Sequence, residues 1–178
     1  SMICQLVDEL QCRGKTGTRL GSLLAVEIFE KDLLVGPGFP HNPLIVKPFH
    51  ITNMCAKDMT VRMSRPDEFQ RWVTEHVAHL TRPIYPSDND DSVHPEGEDH
   101  CMHYPREIMG EYLKSQFEDA VARGKKLGIS IRVRNQCEVI DIRERGAQVF
   151  LITATDQLKE MEVGPFHGAL LATGHWSE

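Results

Sequence analysis

Glu30 and Lys31 close an apolar, β-branched run that begins at Leu24, and the chain then breaks into Gly36-Pro37-Gly38 ahead of Phe39. Residues 24–39, LAVEIFEKDLLVGPGF, read as a buried strand whose carboxyl end delivers a carboxylate to a glycine-rich turn. In nucleotide-binding α/β folds an acid at the end of the second strand accepts hydrogen bonds from a ribose diol, and the ligand sits outside the carboxyl ends of the strands. The alternative is a buried strand with a solvated Glu-Lys pair at its mouth. A second candidate is Arg106 in Tyr104-Pro105-Arg106. A guanidinium in the first turn of a helix, beside free backbone N–H groups, makes an anion site. Pairing of Arg106 with Glu107, Glu111 or an acid of the preceding loop is the other reading.

Two other groupings carry less. His94, Glu98, His100, Cys101 and His103 include zinc-ligand types, but the paired spacings of structural zinc are missing, so no metal is assigned. Gly14-Lys15-Thr16 resembles part of a phosphate loop, yet Glu9 stands where that loop needs a glycine, and the match is discarded.

The elements that must position these residues follow from periodicity. Ile3, Leu6, Val7 and Leu10 recur at helical spacing, so a helix runs to about Cys12, followed by a polar turn over 13–22. Pro40, Pro43 and Pro48 keep 39–57 irregular. Ser64-Arg65-Pro66-Asp67 starts a helix to about Leu80, with Phe69, Trp72, Val73, His76 and Val77 on its apolar face. Residues 81–103 form a long acidic, His-rich loop. Arg106 opens the longest helix, which stops at 124–128. Strands are expected over 129–133, 138–143, 149–154, 159–163 and 168–173. The third and fourth form a hairpin or meander laid over the main sheet, and the last, apolar on both faces, reads as a central parallel strand running into Thr173-Gly174.

Composition narrows the class. With 178 residues, 40% hydrophobic and 26% charged, the chain has the makeup of a soluble globular domain. A net charge of −6 without a clustered basic patch argues against a nucleic-acid partner. No apolar run is long enough to span a bilayer. The odd set of cysteines at 4, 12, 55, 101 and 137 reads as reduced, mostly buried thiols of a cytoplasmic protein.

In order, the acidic strand end with G-x-G, ITNM, a Trp-bearing helix, YPREIMGEYL, EVIDI and LLATGH resemble the FAD-NAD(P)-binding domain family of flavoprotein oxidoreductases, relatives of class B-like monooxygenases. The resemblance implies a Rossmann-like α/β FAD-binding domain with a mostly parallel sheet and an added β-meander, one partial domain over 1–178, truncated at both ends. It assigns Glu30, with Lys31 beside it, to the adenosine ribose, and Gly36 and Gly38 to a loop passing near the flavin. Asn53 and Met54 lie along the cofactor, and Arg106 faces it or its phosphates. Val139 offers backbone groups to adenine, and Thr173 and Gly174 close over the pyrophosphate.

It also implies FAD as cofactor and NAD(P)H as reductant in the full-length protein, with an unspecified small-molecule substrate. The family's leading strand and G-x-G-x-x-G loop do not precede Ile3, so the fragment alone is expected to be inactive. Either another element, such as a strand from a second copy in a homo-oligomer, fills the slot or the sheet is rearranged. No acid or base catalyst is assigned; His103, Tyr104 and His175 lie near the implied site. The alternatives are a non-catalytic module acting through protein contacts without flavin, and a zinc protein built on 94–103.

Overall fold

Two helices, rather than one helix and a turn, begin the chain. The computed structural model describes residues 2–62, 64–77, 102–155 and 160–172. Helix α1 spans Met2–Cys12 and buries Ile3, Cys4, Val7 and Leu10, as the periodicity requires. The segment expected to be a polar turn is helix α2, Gly14–Gly21. Its glycines serve packing: a Cβ at Gly17 would overlap the carbonyl oxygen of Leu10, and one at Gly21 would lie 2.5 Å from that of Leu127.

Strand β1, Ala25–Phe29, pairs in parallel with β2, Ser130–Arg134, in the register Ala25↔Ser130 to Phe29↔Arg134. The expectation of a buried strand is corrected. Residues Val26 to Phe29 are half-buried and Ala25 is exposed, because among the described residues β1 has a paired strand on one side only.

Between these strands, residues 39–58 form irregular chain with 3-10 turns at Phe39–His41 and Ala56–Asp58. Helix α3 is Glu68–His76, shorter than expected, and Asp67 rather than Ser64 stands at its cap position. Residues 78–80 lie outside the described residues. Helix α4, Arg106–Lys126, starts after Pro105 as read from the sequence.

The remaining strands, β3 (Cys137–Arg145), β4 (Gln148–Thr155) and β5 (Glu160–Phe166), form an antiparallel sheet in that order. This is the expected meander, and Phe166 meets Phe29 edge-to-face at 6.3 Å, which seats it against β1. The fold is mixed α/β as expected, and the mostly parallel sheet is supported in part: among the described residues β1 and β2 pair in parallel, while β3, β4 and β5 pair antiparallel. The strand expected over 168–173 is also corrected as far as 172, since 168–172 pair with no strand among the described residues and leave Leu170 and Leu171 63% and 68% exposed, while Thr173 lies outside the described residues.

Two apolar clusters hold these parts. In one, Ile3, Cys4, Val7 and Leu10 pack with Ala120, Ile129 and Ile131, joining α1, α4 and β2. In the other, Phe69, Val73 and Val77 pack with Ala56, Tyr104, Ile108, Met109 and Tyr112. Between them Arg62, 5% exposed, pairs with Asp8 at 2.9 Å and with Glu68 at 2.7 Å.

The expectation of reduced thiols is corrected at Cys55, which is disulfide-bonded. Cys4 and Cys137 are buried free thiols and Cys12 is an exposed one. Cys55 sits where residues 51–56 run against 102–105, joined by Thr52 N to Tyr104 O at 2.9 Å and Ala56 N to Met102 O at 2.8 Å. No described helix is long and apolar enough to cross a membrane.

Candidate functional site

Glu30 directly follows β1, where the parallel pair ends. Its backbone N–H donates to Arg134 O at 2.9 Å, and its carbonyl accepts from Cys137 N at 2.9 Å. The residue is thereby stitched to the end of β2 and the start of β3. Its Oε1 accepts from Asp32 N at 3.1 Å, and Oε2 has no hydrogen-bond partner among the described residues. This half-buried carboxylate is held in place with one oxygen available to a donor. Lys31 beside it is exposed. Val139 lies on β3, two residues after Cys137, and the β3–β4 register shifts between Val139 and Asp141. Val139 itself pairs with Thr153, and the residue that the bulge leaves without a register partner is Ile140.

Arg134 was not singled out from the sequence, yet it ends β2 beside Glu30. Its guanidinium lies 5.6 Å from the centroid of the Phe29 ring, and its Nε donates to Glu27 Oε2 at 2.8 Å. The signal available in the sequence was its place as the last residue of a strand facing a carboxylate strand end.

The second group is built around the start of α4. Arg106 Nε donates to Ile51 O at 2.9 Å, its Nη2 donates to Asn53 Oδ1 at 3.0 Å, and its backbone N–H donates to His50 O at 2.7 Å. These donors fasten the 50–53 segment to the start of α4. Asn53 is exposed, as is Met54 at 55%, while the neighbouring Thr52 is 2% exposed and fixes the segment from inside. His103 shares a hydrogen bond of 2.8 Å between its Nδ1 and Thr52 O, and Tyr104 is buried against Phe69.

The two glycines of the loop have separate roles. Gly36, at φ +116, packs on α4, where a Cβ would come within 3.1 Å of Lys114 Cα and 3.2 Å of Leu113 O. Gly38, at φ +65, precedes the Phe39–His41 turn. The loop therefore runs from the mouth of β1 along α4 to His41, whose carbonyl rests on Gly110. His41 is a second residue the sequence did not single out. Its Nδ1 is buried with no hydrogen-bond partner, and burial, reinforced by the Arg106 charge, lowers its pKa below the ordinary histidine value. Nothing in a proline-rich coil marks such a residue in advance.

Glu30, Lys31 and Val139 are thus gathered at one strand mouth, and Asn53, Met54 and Arg106 at the start of α4, with Gly36 and Gly38 on the loop between them. Thr173, Gly174 and His175 lie outside the described residues, as do His94, Glu98, His100 and Cys101. Among the described residues no cluster of metal-ligand side chains is present. Glu30 fits the adenosine end of FAD, with one carboxylate oxygen uncommitted among the described residues, and Val139 stands two residues along β3 from the Cys137 N–H that binds the Glu30 carbonyl.

The described residues thus form a mixed α/β fold in which a parallel strand pair ends at a carboxylate and is overlaid by an antiparallel meander. Comparison with known sequences narrows the class. The chain belongs to the FAD-NAD(P)-binding family, whose sequence profile matches residues 4–176. A stretch of 71 residues is 34% identical to the uncharacterized protein YdhS of Escherichia coli (strain K12), covering 40% of this chain and 12% of that protein. A flavoprotein/dehydrogenase from Cytophaga hutchinsonii superposes with a TM-score of 0.38 at 17% identity. That match covers 83% of this chain and 34% of the other, so the chain spans about a third of that structure's length.

Proposed function

We propose that this chain binds the adenosine part of FAD at the carboxyl ends of β1 and β2, as part of an NAD(P)H-linked flavoprotein oxidoreductase or monooxygenase. The observation that carries the reading is the placement of Glu30, with Oε1 held by Asp32 N at 3.1 Å and the backbone tied to both β2 and β3. A carboxylate fixed this way accepts from a ribose hydroxyl without first having to be ordered, which lowers the cost of binding. Val139 backbone groups would meet the adenine edge, and Asn53 and Met54 would lie along the rest of the cofactor. FAD, once bound, supplies the two-electron chemistry; the chain's own residues bind it, orient it and keep water away.

Titration of the purified protein with FAD, followed by flavin fluorescence and by melting temperature, tests the reading. Saturable binding is expected, weakened in Glu30→Ala by roughly 1–3 kcal/mol because a buried hydroxyl loses its acceptor. Equal affinity in both proteins would move the ribose elsewhere. A wild-type chain that neither quenches flavin nor gains thermal stability would remove FAD from the proposal.

A further inference from the structure

We propose that the outer edge of β2 accepts an extended segment of a partner protein as an added strand, a segment apolar on one face and acidic on the other. Ser130 N donates to Leu24 O at 3.0 Å and Arg134 O accepts from Glu30 N at 2.9 Å, so the even-numbered residues of β2 turn their backbone groups toward β1. Ile131 and Val133 turn theirs the other way. No strand pairs with β2 on that side among the described residues, and a row of unpaired N–H and C=O groups is a template for a further strand.

A groove of about 490 Å³ runs along this edge, between α4, Val133 and the loop 33–35. Helix α4 gives Gln116, Ala120 and Arg123 to α1, and lines the groove with Phe117, Val121 and Lys125. Side chains alternate across a strand, so a segment added to β2 sends every second residue into the groove beside Val133 and the others to the face of Arg132. The first set meets Phe117 and Val121 and has to be apolar. The second set meets cations: Arg132 is 65% exposed and shares the one Glu27 carboxylate with Arg134, at 3.1 Å and 2.8 Å. Lys125, exposed on the groove wall, has no ion-pair partner among the described residues. These charges select acidic residues. They also disfavour a second copy of this chain, because β2 laid antiparallel on β2 sets arginines across from one another. In strand addition of this kind main-chain hydrogen bonds give the affinity and the alternate side chains give the specificity.

The experiment titrates the whole chain with a fluorescein-labelled heptapeptide alternating Glu and Val, followed by anisotropy, with a Lys and Val heptapeptide beside it. Saturable binding of the acidic peptide is expected, with slower amide exchange at Ile131 and Val133, and at least tenfold weaker binding of the basic one. Val133→Pro removes an outward N–H while leaving the bonds to β1 in place, and is expected to weaken the acidic peptide about tenfold or more. Lys125→Glu, an exposed change that disturbs no bond of the fold, should weaken it several-fold and so keeps the proposal testable if the proline variant misfolds. Absence of saturable binding, equal affinity for the two peptides, or affinity unchanged in both variants overturns the added strand. Self-association of the chain alone that Val133→Pro abolishes, seen by sedimentation, overturns the partner and makes the occupant a second copy.

Discussion

Arg106 Nη2 donates to Asn53 Oδ1 at 3.0 Å while Nε of the same guanidinium donates to Ile51 O at 2.9 Å, so one side chain at the start of α4 fixes two points of the 50–54 segment. A lysine cannot reproduce that pair, because its ammonium is a single point of donation on a flexible stem. Arg106→Lys is therefore expected to destabilise the protein by about 1 kcal/mol, the ordinary net worth of a solvent-accessible hydrogen bond. Denaturant midpoints check the stability. Amide exchange at residues 51–53 should rise in the same variant, and an unaltered exchange pattern would mean the segment is held by Thr52 instead.

Arg62 makes a stronger case. It is 5% exposed and is enclosed by Asp8, Glu68 and the Gln116 side chain, with Glu68 at 2.7 Å also accepting from the Tyr112 hydroxyl at 2.9 Å. Burial and the Glu68 charge push the Tyr112 hydroxyl well above its ordinary pKa, so it stays a donor. Removing the Glu68 charge leaves a buried guanidinium short of compensation, and Glu68→Gln is expected to cost about 3 kcal/mol. The double variant Arg62→Met, Glu68→Gln should recover much of that loss, since two neutral side chains leave no buried charge. Urea unfolding of the double variant and of each single variant, Glu68→Gln and Arg62→Met, measures the coupling.

The periodic parts of this fold were legible, and the contact-dependent parts were not. Ile3, Val7 and Leu10 announce α1, and the cap sequence before Arg106 places α4, because spacing on one helix is a local property. Gly14, Gly17 and Gly21 suggested a turn, but two of them exist to admit the backbone of Leu10 and Leu127, a relation no local window contains. GALLA reads as a strand because it is apolar, yet a strand also needs a neighbour, and 168–172 have none among the described residues. At the candidate site Glu30 was visible from its position at a strand end. His41, Arg134 and the bonded state of Cys55 depend on residues brought from far along the chain.

Gly110 illustrates the same contact dependence in a form that can be measured. It lies on α4 beneath the His41 carbonyl oxygen, so a Cβ there would overlap backbone that has little room to yield, with Pro43 Cδ 3.3 Å away on the other side. Within an isolated helix, glycine to alanine is favourable by nearly 1 kcal/mol. Here the clash dominates, and Gly110→Ala is expected to destabilise by about 1–3 kcal/mol, the usual range for overpacking. A melting temperature equal to or above wild type would show that the 38–43 turn moves freely off α4.

His41 adds a pH dependence with a definite sign. Burial first, and then the nearby Arg106 charge, hold its folded-state pKa below the unfolded value of 6.5. As pH falls below about 6.5 the unfolded chain takes up this proton before the folded chain does. Stability contributed by the neutral imidazole is therefore complete above that pH and declines toward the folded-state pKa. The slope is modest because His41 is only partly buried, and solvent screens the Arg106 charge. His41→Asn should flatten this part of the stability profile. The difference between wild-type and variant melting temperatures, followed from pH 7.5 to pH 5, is expected to shrink or reverse as the solution becomes more acidic. A difference independent of pH would show that His41 is protonated as easily in the folded chain as in the unfolded one, and that Arg106 is too far or too well screened to oppose it.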